Sequence, residues 1–303
     1  MKFEITILGS GSALPTLQRN PTAHFVECNN RFILIDCAEG TQIQLRKFKV
    51  KFQKIDVILI SHLHGDHYFG LVGLLSSMHL LGRDKKLLVV GPEHLEALIR
   101  PQLEIGGHQL NYALEFKALP YPSHEVVFED KKIEIKCFPL LHRIPTHGYQ
   151  IAEKTPKFKL NKIAFDAHGL NLADIPKIKE GFNITLENGT TIPNETLVLA
   201  PETPKKYAYC SDTKYSEKIV PYILAADLLY HEATFIEEQR ERAKQTFHST
   251  AGDAAKIAKQ AGVKKLIIGH FSSRYQDFVA HSNEASSIFL NTVLAEDGMV
   301  VRL

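Results

Sequence analysis

The sequence predicts a mixed α/β fold, sheet covered by helices, with an arm inserted at mid-chain. Two observations carry the first part. Short β-branched runs alternate with segments of helical period, and several runs end abruptly in polar residues, as a buried strand does where it opens onto a loop. A third observation carries the second part: between residues 152 and 206 the pattern loosens, then strands and helices resume.

Strands are expected at 2–8, 23–27, 32–36, 55–60 and 86–90, with helices at 39–48, 68–81 and 92–103, and shorter strands at 114–118 and 132–138. After the insertion come a strand at 206–210, a helix at 216–226, a strand at 227–231, helices at 234–245 and 249–260, and a strand at 264–268. Ser249 reads as the cap of the helix it opens. Inside the insertion, Asn188-Gly189 stands between two β-prone triplets, a hairpin signal because both residues tolerate positive φ. No period recurs, which excludes a repeat architecture.

At 303 residues the chain exceeds a typical single domain, but an α/β core often runs to about 200–250 residues, so one domain of 1–303 with an appendage at 152–206 fits. Hydrophobic content of 44% and charged content of 23% exclude extensive disorder. A net charge of +2 gives a weak average field, so any nucleic-acid binding must draw on basic residues concentrated locally. Cys28, Cys37, Cys137 and Cys210 are isolated and read as small buried residues in a reducing compartment. Residues 1–9 alternate like a first strand and lack the apolar core of a signal peptide, and no run approaches about 20 apolar residues. The expectation is a cytoplasmic protein with no membrane segment.

Chemistry concentrates in Ser61-His62-Leu63-His64-Gly65-Asp66-His67, directly after the apolar run 55–60. Alternation sends His62 and His64 to one side, and Asp66-His67 would open the following helix, so four ligand-type side chains converge at a strand's C-terminal edge. Imidazole and carboxylate suit zinc, and four such groups exceed what one catalytic zinc takes when a position must stay open for water, which points to two adjacent metals. Three further residues follow strands: His142, Asp212 and His270. A carboxylate between two cations can bridge them, so Asp212 is the natural shared ligand, with His142 and His270 completing one metal each.

In order and spacing, this motif with His142, Ser211-Asp212-Thr213 and Gly269-His270 resembles the metallo-β-lactamase superfamily. Four more segments narrow the likeness: Gly9-Ser10-Gly11-Ser12 with Pro15-Thr16-Leu17-Gln18-Arg19-Asn20; His231-Glu232-Ala233-Thr234; His248-Ser249-Thr250-Ala251; and His270-Phe271-Ser272-Ser273-Arg274-Tyr275. With them the chain resembles the ribonuclease Z family, the tRNA 3′-processing endonucleases, over nearly its whole length. The family's P-x-K-x-R-N loop has Gln18 at the lysine position here, and the Gly-Pro-rich stretch of many arms is replaced by residues 173–181.

The resemblance implies an αββα sandwich with a tRNA-binding arm and two zinc ions per subunit. One ion would be held by His62, His64 and His142 and the other by Asp66, His67 and His270, with Asp212 between. It further implies that a metal-bridged hydroxide attacks phosphorus, Asp66 accepts the proton, and His248 assists the leaving 3′-oxygen with Glu232 orienting it. Precursor tRNA would be the substrate, gripped by Lys154, Lys157, Lys159, Lys162, Lys177 and Lys179 on the arm and by Arg19, Asn20 and Arg274 nearer the cut. A homodimer is expected, one subunit's arm serving the other's site. Two other readings stay open: a phosphodiesterase or small-molecule hydrolase on the same fold, which needs no basic arm, and a non-catalytic tRNA-binding protein with a structural metal.

Overall fold

In the computed structural model, which describes residues 2–105, 109–155, 158–199 and 203–303, two seven-stranded sheets sort their alternating side chains into separate cores. On strand Arg31–Ile35, Ile33 and Ile35 face the opposite sheet while Phe32 and Leu34 face helices. Strand Val57–Leu59 repeats this with Val57 and Leu59 against Ile58. In the second sheet Tyr207, Tyr209, Tyr230 and Ile267 point inward, and Ala208, Cys210, Leu229 and Ile268 point out. The side-chain period of two along a strand thus makes each sheet apolar on both faces, and both must be covered. Helices Leu71–Leu80 and Leu95–Ile105 cover the first sheet, and helices Ala251–Gln260 and Val279–Ile288 cover the second. The layers run helix, sheet, sheet, helix.

The first sheet has the order Val300–Arg302, Phe3–Gly9, Ala23–Cys28, Arg31–Ile35, Val57–Leu59, Leu87–Pro92, Leu114–Leu119, its last four strands parallel. The second has the order Thr292–Leu294, Leu266–Gly269, Leu228–Glu232, Lys206–Cys210, Thr146–Glu153, Ile133–Leu140, Val126–Glu129, its first four parallel. Parallel strands end together, so the loops after Ile35, Leu59, Cys210, Glu232 and Gly269 each leave a carboxyl-terminal strand edge, where α/β folds place their sites.

Several boundaries differ from the sequence expectation for identifiable reasons. The helix expected at 68–81 is split into Gly65–Tyr68 and Leu71–Leu80, with Gly70 so close to the Ala38 carbonyl that a Cβ would lie 2.1 Å from its oxygen. The helix expected at 234–245 is a 3₁₀ turn, Glu237–Gln239, running into Arg240–Thr246, because Phe235 instead bridges Thr250. Thr250, not Ser249, caps helix Ala251–Gln260: its side chain accepts from Asp253 N–H, and Asp253 returns a bond to its backbone. Ser249 Oγ donates to the Thr213 carbonyl at 2.6 Å. All four cysteines are buried, and none forms a disulfide.

The chain divides into two compact units, Met1–Ala152 with Lys205–Leu303, and Glu153–Pro204. The second unit has a small core of its own, built on Phe165, Ile178, Ile184, Ile192, Leu197 and Val198. Its Asn188-Gly189 turn joins Ile184–Thr185 to Thr191–Ile192 as an antiparallel hairpin, with Gly189 at φ 84°. Lys159, Lys162, Lys177 and Lys179 are exposed on this unit. Lys157 lies outside the described residues.

Candidate metal centre

Seven side chains from both sheets' strand exits meet in two donor sets. In the first, His62 Nε2 and His142 Nε2 lie 3.0 and 3.2 Å from His64 Nδ1, and Asp212 Oδ2 lies 3.5 and 3.7 Å from His62 and His142. In the second, Asp66 Oδ2 is 3.5 and 3.6 Å from His67 Nε2 and His270 Nε2, while Asp212 Oδ1 is 3.4 and 3.2 Å from the same nitrogens. Zinc–ligand bonds of about 2.0–2.1 Å place tetrahedral ligands about 3.3–3.4 Å apart. Both sets have that spacing, and Asp212 gives one oxygen to each.

Hydrogen bonding behind the ligands turns their lone pairs inward. His67 Nδ1 lies 2.8 Å from Asp36 Oδ2, His270 Nδ1 2.9 Å from Thr234 Oγ1, His142 Nδ1 2.9 Å from the Phe247 carbonyl, and His62 Nδ1 3.0 Å from Ser61 Oγ. The Thr234 and Ser61 hydroxyls donate onward, to Glu232 at 2.8 Å and to Asp36 at 2.9 Å, so each must accept from its histidine. Each Nδ1 therefore carries the proton and each Nε2 offers its lone pair to the cluster. His67 Nε2, His270 Nε2 and Asp212 Oδ1 are buried and have no hydrogen-bond partner. Such orphans are costly unless something else fills their coordination, so the donor sets fit metal ions.

Charge points the same way. Burial opposes charge at His67, yet the carboxylates of Asp212, Asp66 and Asp36 hold it well above its ordinary value, so its inward Nε2 binds a cation, whether proton or metal ion, more strongly than an ordinary imidazole does. At Asp212 burial is outweighed by His270, His67 and His62, which keep the carboxyl well below the usual range. This concentration of buried acids calls for a cation.

His248 stands beside the sets without matching their spacing. Its Nδ1 is 2.8 Å from Glu232 Oε1, and its Nε2 is 4.0 Å from Asp212 Oδ2. Burial pulls its pKa down, but Glu232 and then Asp212 outweigh burial and hold it at about 9. Glu232 is fully buried and also accepts from the backbone N–H groups of Thr213 and Thr234. Phe247, at φ 59°, turns the chain so that its carbonyl reaches His142 while His248 projects over the centre.

A ribonuclease Z of Porphyromonas gingivalis strain W83 is 46% identical over 301 residues, 99% of both chains. The chain belongs to the ribonuclease Z family. Among solved structures, human tRNase Z, short form, matches it with a TM-score of 0.70 at 29% identity, covering 98% of each chain. The metallo-β-lactamase fold protein YhfI of Bacillus subtilis matches with a TM-score of 0.70 at 18% identity, covering 100% of each chain. The four-layer arrangement is the metallo-β-lactamase fold. A family profile described as anti-Pycsar protein Apyc1 matches residues 3–155, a span that ends before Asp212, Glu232, His248 and His270. Membership of the ribonuclease Z family implies bound metal ions, and among the described residues the two donor sets, overlapped by a looser cluster of Asp212, His248 and His270, are where this chain can hold them.

In this ribonuclease Z family member the N-terminal loop is stitched to the centre. Ala13 N–H donates to Asp66 Oδ2 at 2.9 Å, and Ser12 N–H donates to the Phe271 carbonyl, one residue past His270. Arg19 and Asn20 are used inside this loop: the Arg19 guanidinium donates to Ser10 Oγ and the Ala295 carbonyl and lies over Phe278, while Asn20 donates to Asp297. Arg274 is exposed, and Gln18 lines a cavity with Ser272, Ser273 and Tyr275. Sequence reasoning missed Asp36 and the relay through Thr234. Asp36 ends an apolar run as Ser61 does, and that was its signal.

Proposed function

We propose that the chain is a zinc-dependent endoribonuclease that removes the 3′ trailer from precursor tRNA. The cut follows the discriminator nucleotide and leaves a 3′-hydroxyl on the tRNA and a 5′-phosphate on the trailer. The observation that carries this reading is the sharing of Asp212 between two donor sets, with the His248–Glu232 pair alongside. Full-length likeness to relatives named ribonuclease Z favours it over a small-molecule hydrolase.

His62, His64 and His142 would hold one zinc, and Asp66, His67 and His270 the other, with Asp212 contributing to both. When bound, the ions supply charge neutralisation at the phosphate and a water ionised near neutral pH. The protein's part is protonic. Asp66, kept ionised by His67 and His270 against the effect of burial, is assigned as proton acceptor. The leaving 3′-oxygen is too basic to depart unprotonated, and His248 Nε2 is assigned to supply the proton while Glu232 holds Nδ1.

Lys159, Lys162, Lys177 and Lys179 are assigned to phosphates of the tRNA body, and Arg274 to the substrate near the cut, because each is an exposed cation. No helix among the described residues is long and apolar enough to cross a membrane. A cytoplasmic homodimer completes the reading on the strength of the family likeness.

The test uses trailer-bearing precursor tRNA and the zinc-loaded full chain, with product ends mapped chemically. The tRNA fragment should be periodate-sensitive and the trailer should lose its 5′ label to phosphatase. Intact precursor, or a tRNA ending in a 3′-phosphate, would contradict the reading.

A further inference from the structure

Beside the first donor set opens a cleft of about 490 Å³, within the range of sites that take small organic groups. Two loops of the candidate centre contribute to its lining: Leu63-His64, and Ile144-Pro145 just past His142. Pro92 to His94, Leu119 and Tyr121 complete the lining. Tyr121 is 40% exposed, and its hydroxyl donates to the Leu140 carbonyl at 2.7 Å, which holds the ring in place at the strand that leads to His142. His64 thus offers one ring nitrogen to the donor set while its side chain lines the cleft.

We propose that this cleft is a stacking site for the base of the first trailer nucleotide, an inference that rests on the tRNA 3′-processing reading above. The lining is mainly apolar, contains no Lys or Arg, and carries the Glu93 carboxylate. Such a surface disfavours phosphate and accepts a π-face of any base, as sequence-tolerant single-strand sites do. Because His64 belongs to both the donor set and the cleft lining, the base that enters belongs to a nucleotide flanking a phosphate held at the donor sets. His248 is assigned to the 3′-oxygen of the retained nucleotide, and the cleft includes neither His248 nor its neighbours Phe247 and Ser249. The nucleotide across the phosphate from His248 is the first of the trailer.

The experiment is a double-substitution cycle in single-turnover cleavage, with an abasic site at the first trailer nucleotide or at the last retained one, and with Tyr121→Ala and Tyr121→Phe. The first-trailer abasic substrate should be cleaved about 5- to 100-fold more slowly by the unaltered protein. Tyr121→Ala should lose a similar factor on ordinary substrate and lose little more on the abasic one, while Tyr121→Phe keeps the sensitivity. No loss with that abasic substrate overturns the proposal without any variant having to fold. Equal losses in both proteins, or coupling only at the last retained nucleotide, overturn it as well. Failure to cut the unmodified precursor would instead remove the underlying function.

Discussion

Glu232, fully buried, and His248, partly exposed, meet at 2.8 Å in a pair that faces Asp212 from beside both donor sets. The same Glu232 carboxylate accepts the Thr234 hydroxyl that receives His270 Nδ1–H, so one buried acid supports both a histidine of the second donor set and the assigned proton donor. Acid and ligand are thereby fixed relative to each other through side chains rather than through a mobile loop.

His248→Ala should lower turnover by about 10²–10⁴ while metal content stays at the unaltered level, measured by plasma emission on the same sample. Its pH dependence follows from a folded value of about 9: the protonated form is the active one, so rate falls as pH rises through that value. Glu232→Gln removes the charge that raises it, and the alkaline limb should move to lower pH. Unchanged turnover in His248→Ala would remove it from the mechanism.

Asp36→Asn should weaken metal binding by about 10–100-fold, read by competition with a chromogenic chelator. The reason is specific. Asp36 Oδ2 accepts from His67 Nδ1, Ser61 Oγ and Tyr209 Oη at 2.7–2.9 Å and Oδ1 accepts from Ser61 N–H at 2.7 Å, so an amide in either orientation turns its NH₂ toward a donor. Equal affinity in the two proteins would show that His67 does not depend on this contact.

What the sequence disclosed follows from the same local physics. The histidine and aspartate residues were legible because each ends or closely follows a β-branched run, and a strand exit at a common sheet edge predicts convergence. The end of an apolar run marked Asp36, but its role as a support was not legible, because its partners Tyr209, on a strand of the second sheet, and His67, on helix Gly65–Tyr68, are joined to it only by tertiary packing. Strand Thr146–Glu153 lacks a clear alternation, and its Gly148 is packed so close to Phe138 that a Cβ would lie 2.4 Å from the ring. Helix Val279–Ile288 is rich in Ser, Asn and His and buries only His281 and Ala285 deeply, too narrow a stripe to announce a helix. Arg19 and Asn20 carry the charge and polarity of substrate contacts, but their hydrogen bonds go to Ser10, Ala295 and Asp297.

Ala152 and Lys206 are cross-strand partners, so the Glu153–Pro204 unit can be cut out and its ends joined by a short turn. The shortened protein should lose precursor-tRNA cleavage and keep hydrolysis of a small phosphodiester such as bis(p-nitrophenyl) phosphate. Retained cleavage of precursor tRNA would contradict the role assigned to the arm.

His24 is buried between the sheets, with Nδ1 2.8 Å from the Tyr207 hydroxyl, and burial lowers its pKa from 6.5 to about 3. Above 6.5 both folded and unfolded chains carry it neutral. As pH falls below 6.5 only the unfolded chain takes up the proton, so stability drops by up to about 1.4 kcal/mol per pH unit until the folded value is reached. His24→Asn should therefore lose about 2–3 kcal/mol less than the unaltered protein between pH 6.5 and 4.5 in urea unfolding. Parallel pH profiles would contradict the assignment.

The most direct test of the central claim is a zinc titration of the metal-free protein, following trailer removal from precursor tRNA and bound zinc together, with Asp212→Ala alongside. Cleavage should rise until two equivalents per chain are bound, and Asp212→Ala should neither retain both ions nor cleave. Full cleavage by protein holding one equivalent or none, or by Asp212→Ala, would contradict a paired metal centre bridged by that carboxylate.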